Sequence, residues 1–291
     1  MTGADVLVRD AVDRFDRAGI ASPRADAELL LAFLLDVPRS EVVRRVLLGS
    51  EVPEELRGRW DALVVRRAAR VPLQHLTGRA AFRHVDLEVG AGVFVPRPET
   101  EVVAGEAIDA ALRVTGRAEI VVVDLCTGSG AIALAVADEV PSATVHAVEL
   151  DQGAYGFARR NVAAQGDSVR LVRGDARTAF ADLDGSVDVV VSNPPYVPSD
   201  AVPKDPEVAR HDPGVALYGL GTDGFEVPRG ITAVAARLLR PGGVFVMEHA
   251  EVQADLARRT AADAGLVDVR TLADLTGRPR AVVARQPDVK D

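Results

Sequence analysis

Asn193-Pro194-Pro195-Tyr196 ends an apolar run, VDVVVSN, that reads as a buried strand. A polar residue at the mouth of such a strand lies where open α/β sheets hold their ligands. The two prolines fix the next turn and carry no N–H, so the Pro194 carbonyl can point outward as an acceptor. Together with the Asn193 side-chain oxygen it makes a fixed pair of acceptors. A planar NH2 group has two hydrogens to offer such a pair. In a carboxamide or an aromatic amine the nitrogen lone pair is delocalised and nearly inert. Two fixed acceptors select that group, favour the transition state as positive charge develops on nitrogen, and aim the nitrogen at an electrophile. No strong base is needed before attack, because the proton can leave afterwards to solvent. Tyr196 offers an aromatic wall beside the planar group. Asn-Pro alone is also an ordinary turn signal, so the position of the motif carries the reading.

A second cluster, Asp124 to Gly130 in DLCTGSG, follows the run EIVVVDL. Gly128 and Gly130 allow a tight turn and close approach of backbone to a ligand. The helix expected from about Ser129 turns its free N–H groups to the same place. Gly128-Ser-Gly130-Ala-Ile-Ala133 satisfies a dinucleotide fingerprint with Ala last. Glu149 ends the next strand, where a carboxylate can take both ribose hydroxyls of an adenosine ligand. The motif alone does not separate a nicotinamide enzyme from an S-adenosylmethionine enzyme. Asp124 tilts the choice: at the strand tip it would repel a pyrophosphate but can orient a sulfonium or an ammonium. Asp175, in RGDA, is placed to accept from an adenine amine or to serve as a plain turn aspartate. Cys126 reads as a small hydrophobe facing the cofactor rather than a nucleophile, with no histidine near it in sequence.

The elements that must hold these residues fall into two territories. Residues 1–74 have helical spacing: Leu7, Ala11 and Phe15, with Gly19 as a stop; Ser22 before Pro23; Ser40 opening EVVRRVLL; and Pro53 opening a fourth segment. This is expected to be a small helical bundle with arginines on its outer faces, serving either solubility or docking of a macromolecule. Residues 75–98 suggest a β-hairpin linker around FRHVDLEV, then FVPRPETE, where Pro96 and Pro98 hold the chain extended and Thr100 can cap a helix. Residues 99–291 alternate strand and helix. Seven apolar runs there predict a mostly parallel sheet covered on both faces, with the last two strands, joined only by TGRP, antiparallel at its edge. The stretch 197–226 lacks a strong element and reads as a lid or rim.

The chain of 291 residues carries a formal charge of −9, and residues 1–74, with 12 Arg against 12 Asp plus Glu, hold none of that excess. An acidic body argues against wrapping nucleic acid through its overall field. A single cysteine excludes an intrachain disulfide and any cysteine-cluster metal site, and His211 and His249 belong to no ligand-spaced cluster. No metal is expected. No apolar run approaches 18 residues and the first residues are acidic, so a cytoplasmic protein, with no membrane partner, is expected.

The order FVPRPETE, DLCTGSGAIALA, AVEL, NPPY and MEHAEVQ resembles the HemK/PrmC family over nearly the whole chain. Those are the protein-(glutamine-N5) methyltransferases acting on peptide chain release factors. The resemblance implies a seven-stranded S-adenosylmethionine-dependent methyltransferase fold, Rossmann-like with an antiparallel last strand, behind an N-terminal helical bundle. It implies transfer of a methyl from S-adenosylmethionine, leaving S-adenosylhomocysteine, to the glutamine of the release factor's Gly-Gly-Gln loop. Asn193, Pro194 and Tyr196 match the catalytic positions. Asp124, Cys126, Thr127, Gly128, Gly130, Glu149, Leu150, Asp175, Ala176 and Asn193 are then expected at the cofactor. Phe82, Phe94, Pro96, Arg97 and Pro195 would border the substrate with the catalytic trio, Arg97 orienting it or pairing with Glu99. Many members carry Gly where this chain has Cys126, and Asp where it has Glu149. A monomer without a stable nucleic-acid partner is expected. The alternative is a DNA or RNA methyltransferase for an exocyclic amine of adenine, cytosine or guanine, which needs a basic face and room for a flipped base.

Overall fold

The computed structural model describes Thr2–Asp288, so Met1 and residues 289–291 of the expected domains lie outside the described residues. The chain forms two compact units, one of residues 1–79 with 203–211, the other of residues 80–202 with 212–291.

The first unit is helical: α1 (Ala4–Arg17), α2 (Pro23–Leu35), α3 (Arg39–Leu47), α4 (Arg57–Ala68) and α5 (Leu73–Thr77). Leu7, Val8, Ala11 and Phe15 make one stripe on α1, packed with Leu30, Leu31, Val42, Trp60 and Val64. Gly19, at φ +70°, turns the chain out after α1. Ser22 precedes α2 but its side chain makes no cap bond; α3 begins one residue before Ser40, and a 3-10 turn at Glu54–Leu56 separates Pro53 from α4.

The expectation of arginines only on outer faces is corrected by Arg67, which is 4% exposed. Its Nε donates to Asp26 Oδ2 at 2.7 Å and its Nη2 to Glu207 Oε1 at 2.8 Å. Glu207 comes from a short helix at Pro206–His211, far along the chain. A buried cation needs partners, and two carboxylates supply them.

The second unit begins with a hairpin, β1 (Arg79–Phe82) and β2 (Val85–Glu88), then α6 (Pro98–Leu112). Its sheet is built from β3 (Ile120–Leu125), β4 (Ala143–Glu149), β5 (Val169–Arg173), β6 (Val187–Ser192), β7 (Leu239–Glu248), β8 (Val267–Ala273) and β9 (Pro279–Arg285). Between them lie α7 (Ala131–Glu139), α8 (Gln152–Ala164), the short helices α9 (Pro206–His211) and α10 (Gly214–Leu217), α11 (Glu226–Leu238) and α12 (Ala254–Asp263); α9 belongs to the first unit. The spatial order is β8-β9-β7-β6-β3-β4-β5.

Neighbours from β7 through to β5 pair parallel, whereas β9 runs antiparallel to both β7 and β8. The terminal hairpin therefore sits at the edge as expected, but only β9 opposes the rest, and it is second from the edge. Period-two alternation sends Val122 to the face under the hairpin, α6 and α7, and Val121 and Val123 to the face under α11 and α12.

Candidate active site

β3 is flanked by β4 on one side and β6 on the other, so the strand order reverses there and a crevice opens at the strands' C-terminal ends. Register puts the last residues in line: Val148 opposite Leu125, Leu125 opposite Ser192, Ser192 opposite Met247. The residues that follow, Glu149, Cys126, Asn193 and Glu248, emerge side by side. Ser192 Oγ donates to the Leu125 carbonyl at 2.6 Å, tying β6 to the start of the glycine loop.

On the β3–β4 side, both Glu149 oxygens accept backbone N–H groups, Oε2 from Gly128 at 2.9 Å and Oε1 from Asp151 at 2.8 Å. Burial pushes its pKa up. Each oxygen keeps a lone pair for a hydroxyl. Thr127 Oγ1 and the Ala133 N–H both donate to Asp124 Oδ2, while Asp124 Oδ1, fully buried, has no partner among the described residues. Burial raises the Asp124 carboxyl to about 7. Gly128 and Gly130 sit at φ +59° and +89°, and α7 starts at Ala131, two residues later than expected. A Cβ on Gly128 would meet nothing within 4 Å; one on Gly130 would meet Leu134 Cδ1 at 3.2 Å.

Cys126 also takes a left-handed backbone, φ +64°, which favours glycine. Burial, Glu149 and Asp124 all push its thiol pKa up, against a nucleophilic role. Leu150 is exposed and Ala176 buried at the ends of β4 and β5. Asp175 is engaged by Arg177, whose Nη2 donates to Oδ2 at 2.7 Å, and this pair lowers the Asp175 pKa. In this structure Asp175 is a turn residue holding an arginine.

On the β6–β7 side, Asn193 is half-buried and all its following peptide bonds are trans. No backbone N–H among the described residues donates to the Pro194 carbonyl. Asn193 Nδ2 donates to Thr100 Oγ1 at 3.3 Å, Thr100 Oγ1 to Glu248 Oε2 at 2.8 Å, and the Tyr196 hydroxyl to Glu248 Oε1 at 3.1 Å. Thr100 lies within the first turn of α6 and makes no cap bond, unlike the expected cap.

The stretch after Tyr196 is tied down by hydrogen bonds. The Val197 N–H donates to Leu217 O at 2.8 Å and the Gly219 N–H to Val197 O at 3.0 Å. Gln253 Nε2 donates to both Tyr196 O and Asp223 O.

Arg97 does not pair with Glu99. Its Nη2 donates to the buried Asp212 at 2.6 Å and its guanidinium lies 5.1 Å from the Phe94 ring centroid. Pro96 and Phe94 are half-buried. Phe82 does not border an opening: it is 1% exposed in the core with Val85 and Leu87, because alternation along the hairpin turns it inward. Burying a phenylalanine contributes about 2–3 kcal/mol, so an inward position is the expected outcome once a core is available.

Sequence reading missed Thr100, Glu248, Gln253 and Asn161. Asn161 Nδ2 donates to Ser129 O at 2.9 Å and Glu88 O at 3.0 Å, while its Oδ1 accepts from the Glu88 N–H, so it stitches the glycine loop to the hairpin. Among the described residues no group of three His, Cys, Asp or Glu is placed to hold a metal.

Two family models match: the PrmC N-terminal domain over residues 7–78 and the methyltransferase small domain over residues 106–206. A release factor glutamine methyltransferase of Streptomyces coelicolor is 50% identical over 282 residues, 96% of each chain. One of Mycolicibacterium smegmatis is 47% identical over 289 residues, 98% of each chain. The chain belongs to the release factor glutamine methyltransferase family.

It is an S-adenosylmethionine-dependent methyltransferase. Two solved structures share the fold. A methyltransferase from Pyrococcus furiosus aligns at TM-score 0.50 with 20% identity, covering 78% of this chain and 98% of its own. The T. thermophilus 16S rRNA N2 G1207 methyltransferase, solved with S-adenosylmethionine and guanosine, aligns at 0.50 with 21% identity, covering 72% of this chain and 49% of its own. The residues present fit the cofactor: a buried carboxylate oxygen without a partner at Asp124 suits a cation, and open space above Gly128 suits close approach. No helix among the described residues is long and apolar enough to cross a membrane.

Proposed function

We propose that this protein methylates the side-chain amide nitrogen, N5, of the glutamine in the Gly-Gly-Gln loop of peptide chain release factors, in the cytoplasm. The observation that carries the reading is the row of strand ends that sets Asn193 and Pro194 beside the glycine loop and Glu149. When bound, S-adenosylmethionine supplies an electrophilic methyl and leaves as S-adenosylhomocysteine.

The chain's own residues do the rest. Glu149 takes the ribose hydroxyls, Asp124 faces the cationic end, and the Gly128 backbone admits close contact. Leu150, Thr127, Ala176 and Cys126 line the same ends of β3–β5. Asp175, once released from Arg177, is the candidate for the adenine amine. Asn193 Oδ1 and the Pro194 carbonyl accept the two hydrogens of the substrate amide. They hold its plane and stabilise positive charge arising on nitrogen. The nitrogen then loses its proton to solvent. Tyr196 and Pro195 wall the amide, Arg97 with Phe94 and Pro96 edges the approach, and residues 1–74 bind the body of the release factor.

The test offers the purified protein labelled methyl donor with either a release factor or structured RNA. Label on the release-factor glutamine supports the proposal, and label in RNA alone sinks it. Asn193→Ala is expected to lower kcat far more than cofactor affinity, because its contact is with the reacting centre. Equal loss of cofactor binding by calorimetry contradicts the role given to Asn193.

A further inference from the structure

An asparagine amide has two chemically opposite ends of nearly the same shape. Only the oxygen end can accept from a substrate NH2; the nitrogen end would repel it. Asn193 alone has no means of choosing, so the choice must come from what its other end touches.

The structure supplies a directed chain of hydrogen bonds. Glu248 is 2% exposed, and its carboxylate accepts on both oxygens, from Thr100 Oγ1 at 2.8 Å and from the Tyr196 hydroxyl at 3.1 Å. A threonine hydroxyl has one proton. Given to Glu248, it leaves Oγ1 able only to accept, and what it accepts is Asn193 Nδ2–H at 3.3 Å. Reversing the amide would set Oδ1 against the lone pairs of Oγ1, with no proton between them.

We infer that Thr100 and Glu248 are positioning residues that fix the polarity of Asn193, holding its nitrogen end so that its oxygen end is the one offered to the substrate amide. The inference rests on the acceptor role proposed for Asn193. Burial raises the Glu248 carboxyl to about 7, while the Thr100 and Tyr196 hydrogen bonds and Arg280 favour its ionised form and Glu99 opposes it, so the acceptor-only form that orients Thr100 is the one present above neutrality. Only a group that accepts on both oxygens can orient the threonine and the tyrosine together. Glu248 reaches the site from β7 and Thr100 from α6, so two elements far apart in sequence converge on one side chain.

The test compares Thr100→Val, which removes the hydroxyl with little change in shape, with Thr100→Ser, which keeps it. Thr100→Val is expected to lower kcat on the order of 10- to 100-fold. Cofactor Kd should stay within about twofold of wild type, since Thr100 hydrogen-bonds to Asn193 and Glu248 and not to Asp124, Gly128 or Glu149. Thr100→Ser is expected to recover kcat to within about threefold. In a double-variant cycle, Asn193→Ala with Thr100→Val is expected to turn over no more slowly than Asn193→Ala alone, because Thr100 acts through Asn193. Turnover by Thr100→Val within twofold of wild type overturns the inference. So does a Thr100→Ser as slow as Thr100→Val, or two losses that multiply in the double variant. A failure of the underlying reading is separately visible, as an Asn193→Ala enzyme with undiminished kcat.

Discussion

Gly224 is a position where one methyl group should harm the chemistry without touching the cofactor. It sits at φ +68°, and a Cβ there would lie 2.5 Å from the Pro198 nitrogen and 2.6 Å from the Tyr196 oxygen. Ordinary contact begins near 3.4 Å, so one backbone or the other must shift by about 0.8–0.9 Å. The left-handed backbone costs alanine about 1–2 kcal/mol and the forced displacement about 1–3 kcal/mol. The smaller entropy of the unfolded alanine chain offsets about 0.4–1 kcal/mol. Gly224→Ala should therefore lose about 1–4.6 kcal/mol in urea unfolding, near 3 kcal/mol at the middle of each range. Gly166→Ala is the control: its φ is +72° but nothing lies within 4 Å of a Cβ, so it should lose about 1 kcal/mol or less. A displacement of Tyr196 and Val197 also moves the acceptors, and a misplacement near 1 Å can cost about 100-fold in rate. The assay pairs urea midpoints with kcat on a release factor and cofactor Kd by calorimetry. Gly224→Ala matching the control in both stability and kcat would refute the reasoning.

Other consequences are measurable. Asp124, raised to about 7 by burial, is partly protonated near neutrality, and a cation beside Oδ1 favours its ionised form. Cofactor binding should release about half a proton per site at pH 7 and tighten as pH rises through 7; equal binding enthalpies in phosphate and Tris would contradict this. The same raised value means that Asp124 contributes stability that is full below about pH 4 and is lost as pH rises through 7, so Asp124→Asn should flatten the fall in stability across that window. Arg67→Ala leaves Asp26 without the cation it shares with Glu207, while Glu207 keeps Arg70, and should cost about 3 kcal/mol, measured by urea unfolding, with Arg67→Met costing less than Arg67→Ala since it keeps the apolar stem. Cys126, its thiol raised by burial and flanking carboxylates, should react with iodoacetamide at pH 8 at least 10-fold more slowly than free cysteine, followed by mass spectrometry; a rate equal to free cysteine would show that the thiolate is not suppressed.

The central strands were legible because each is a nearly continuous apolar run between breakers, and the edge strands β5 (VRLVR) and β8 (VDVRTLA) because apolar and polar residues alternate along them; the pairing of NPPY with a strand end followed from that. Direction at the edge was harder. TGRP shows that β8 and β9 oppose each other, but nothing local shows that β9 inserts beside β7. The partners of Asn193 were out of reach for the same reason. Thr100 lies 93 residues from Asn193 and 148 from Glu248, and no periodicity connects them. A threonine beside a helix start usually caps it, and that local role is all the sequence offers for Thr100. The segment after Tyr196 held a usable signal, the three glycines of YGLGTDGF. Gly219 and Gly224 are required because a Cβ on either would strike the backbone of Pro195 to Pro198. Closely spaced glycines in a long loop beside a catalytic turn point to backbone packing more than to a mobile cover.

The two halves of the site are held by different kinds of device. The cofactor half is largely local: Gly128, Glu149 and Asp151 are joined through the ends of adjacent strands, with Asn161 bracing the loop from α8. The amide half depends on α6, β7 and the stretch 217–225 meeting the NPPY turn from three sides. The seam between them is the pairing of β3 with β6, where Leu125 faces Ser192. A strand reverses its faces with every residue, so a slip of one along that pairing would turn Asn193 away from the glycine loop. The interiors of both strands are nearly all valine and would pack almost as well after a slip. What distinguishes the true register is the polar ends: the Ser192 hydroxyl on the Leu125 carbonyl at one end and the Asp188 carboxylate accepting the Val121 N–H at the other. Both bonds are buried, and breaking either leaves an unsatisfied polar group at a cost of about 1–3 kcal/mol. The valines hold the sheet together without choosing a register; these two polar contacts choose it, and the position of the acceptor pair follows from that choice.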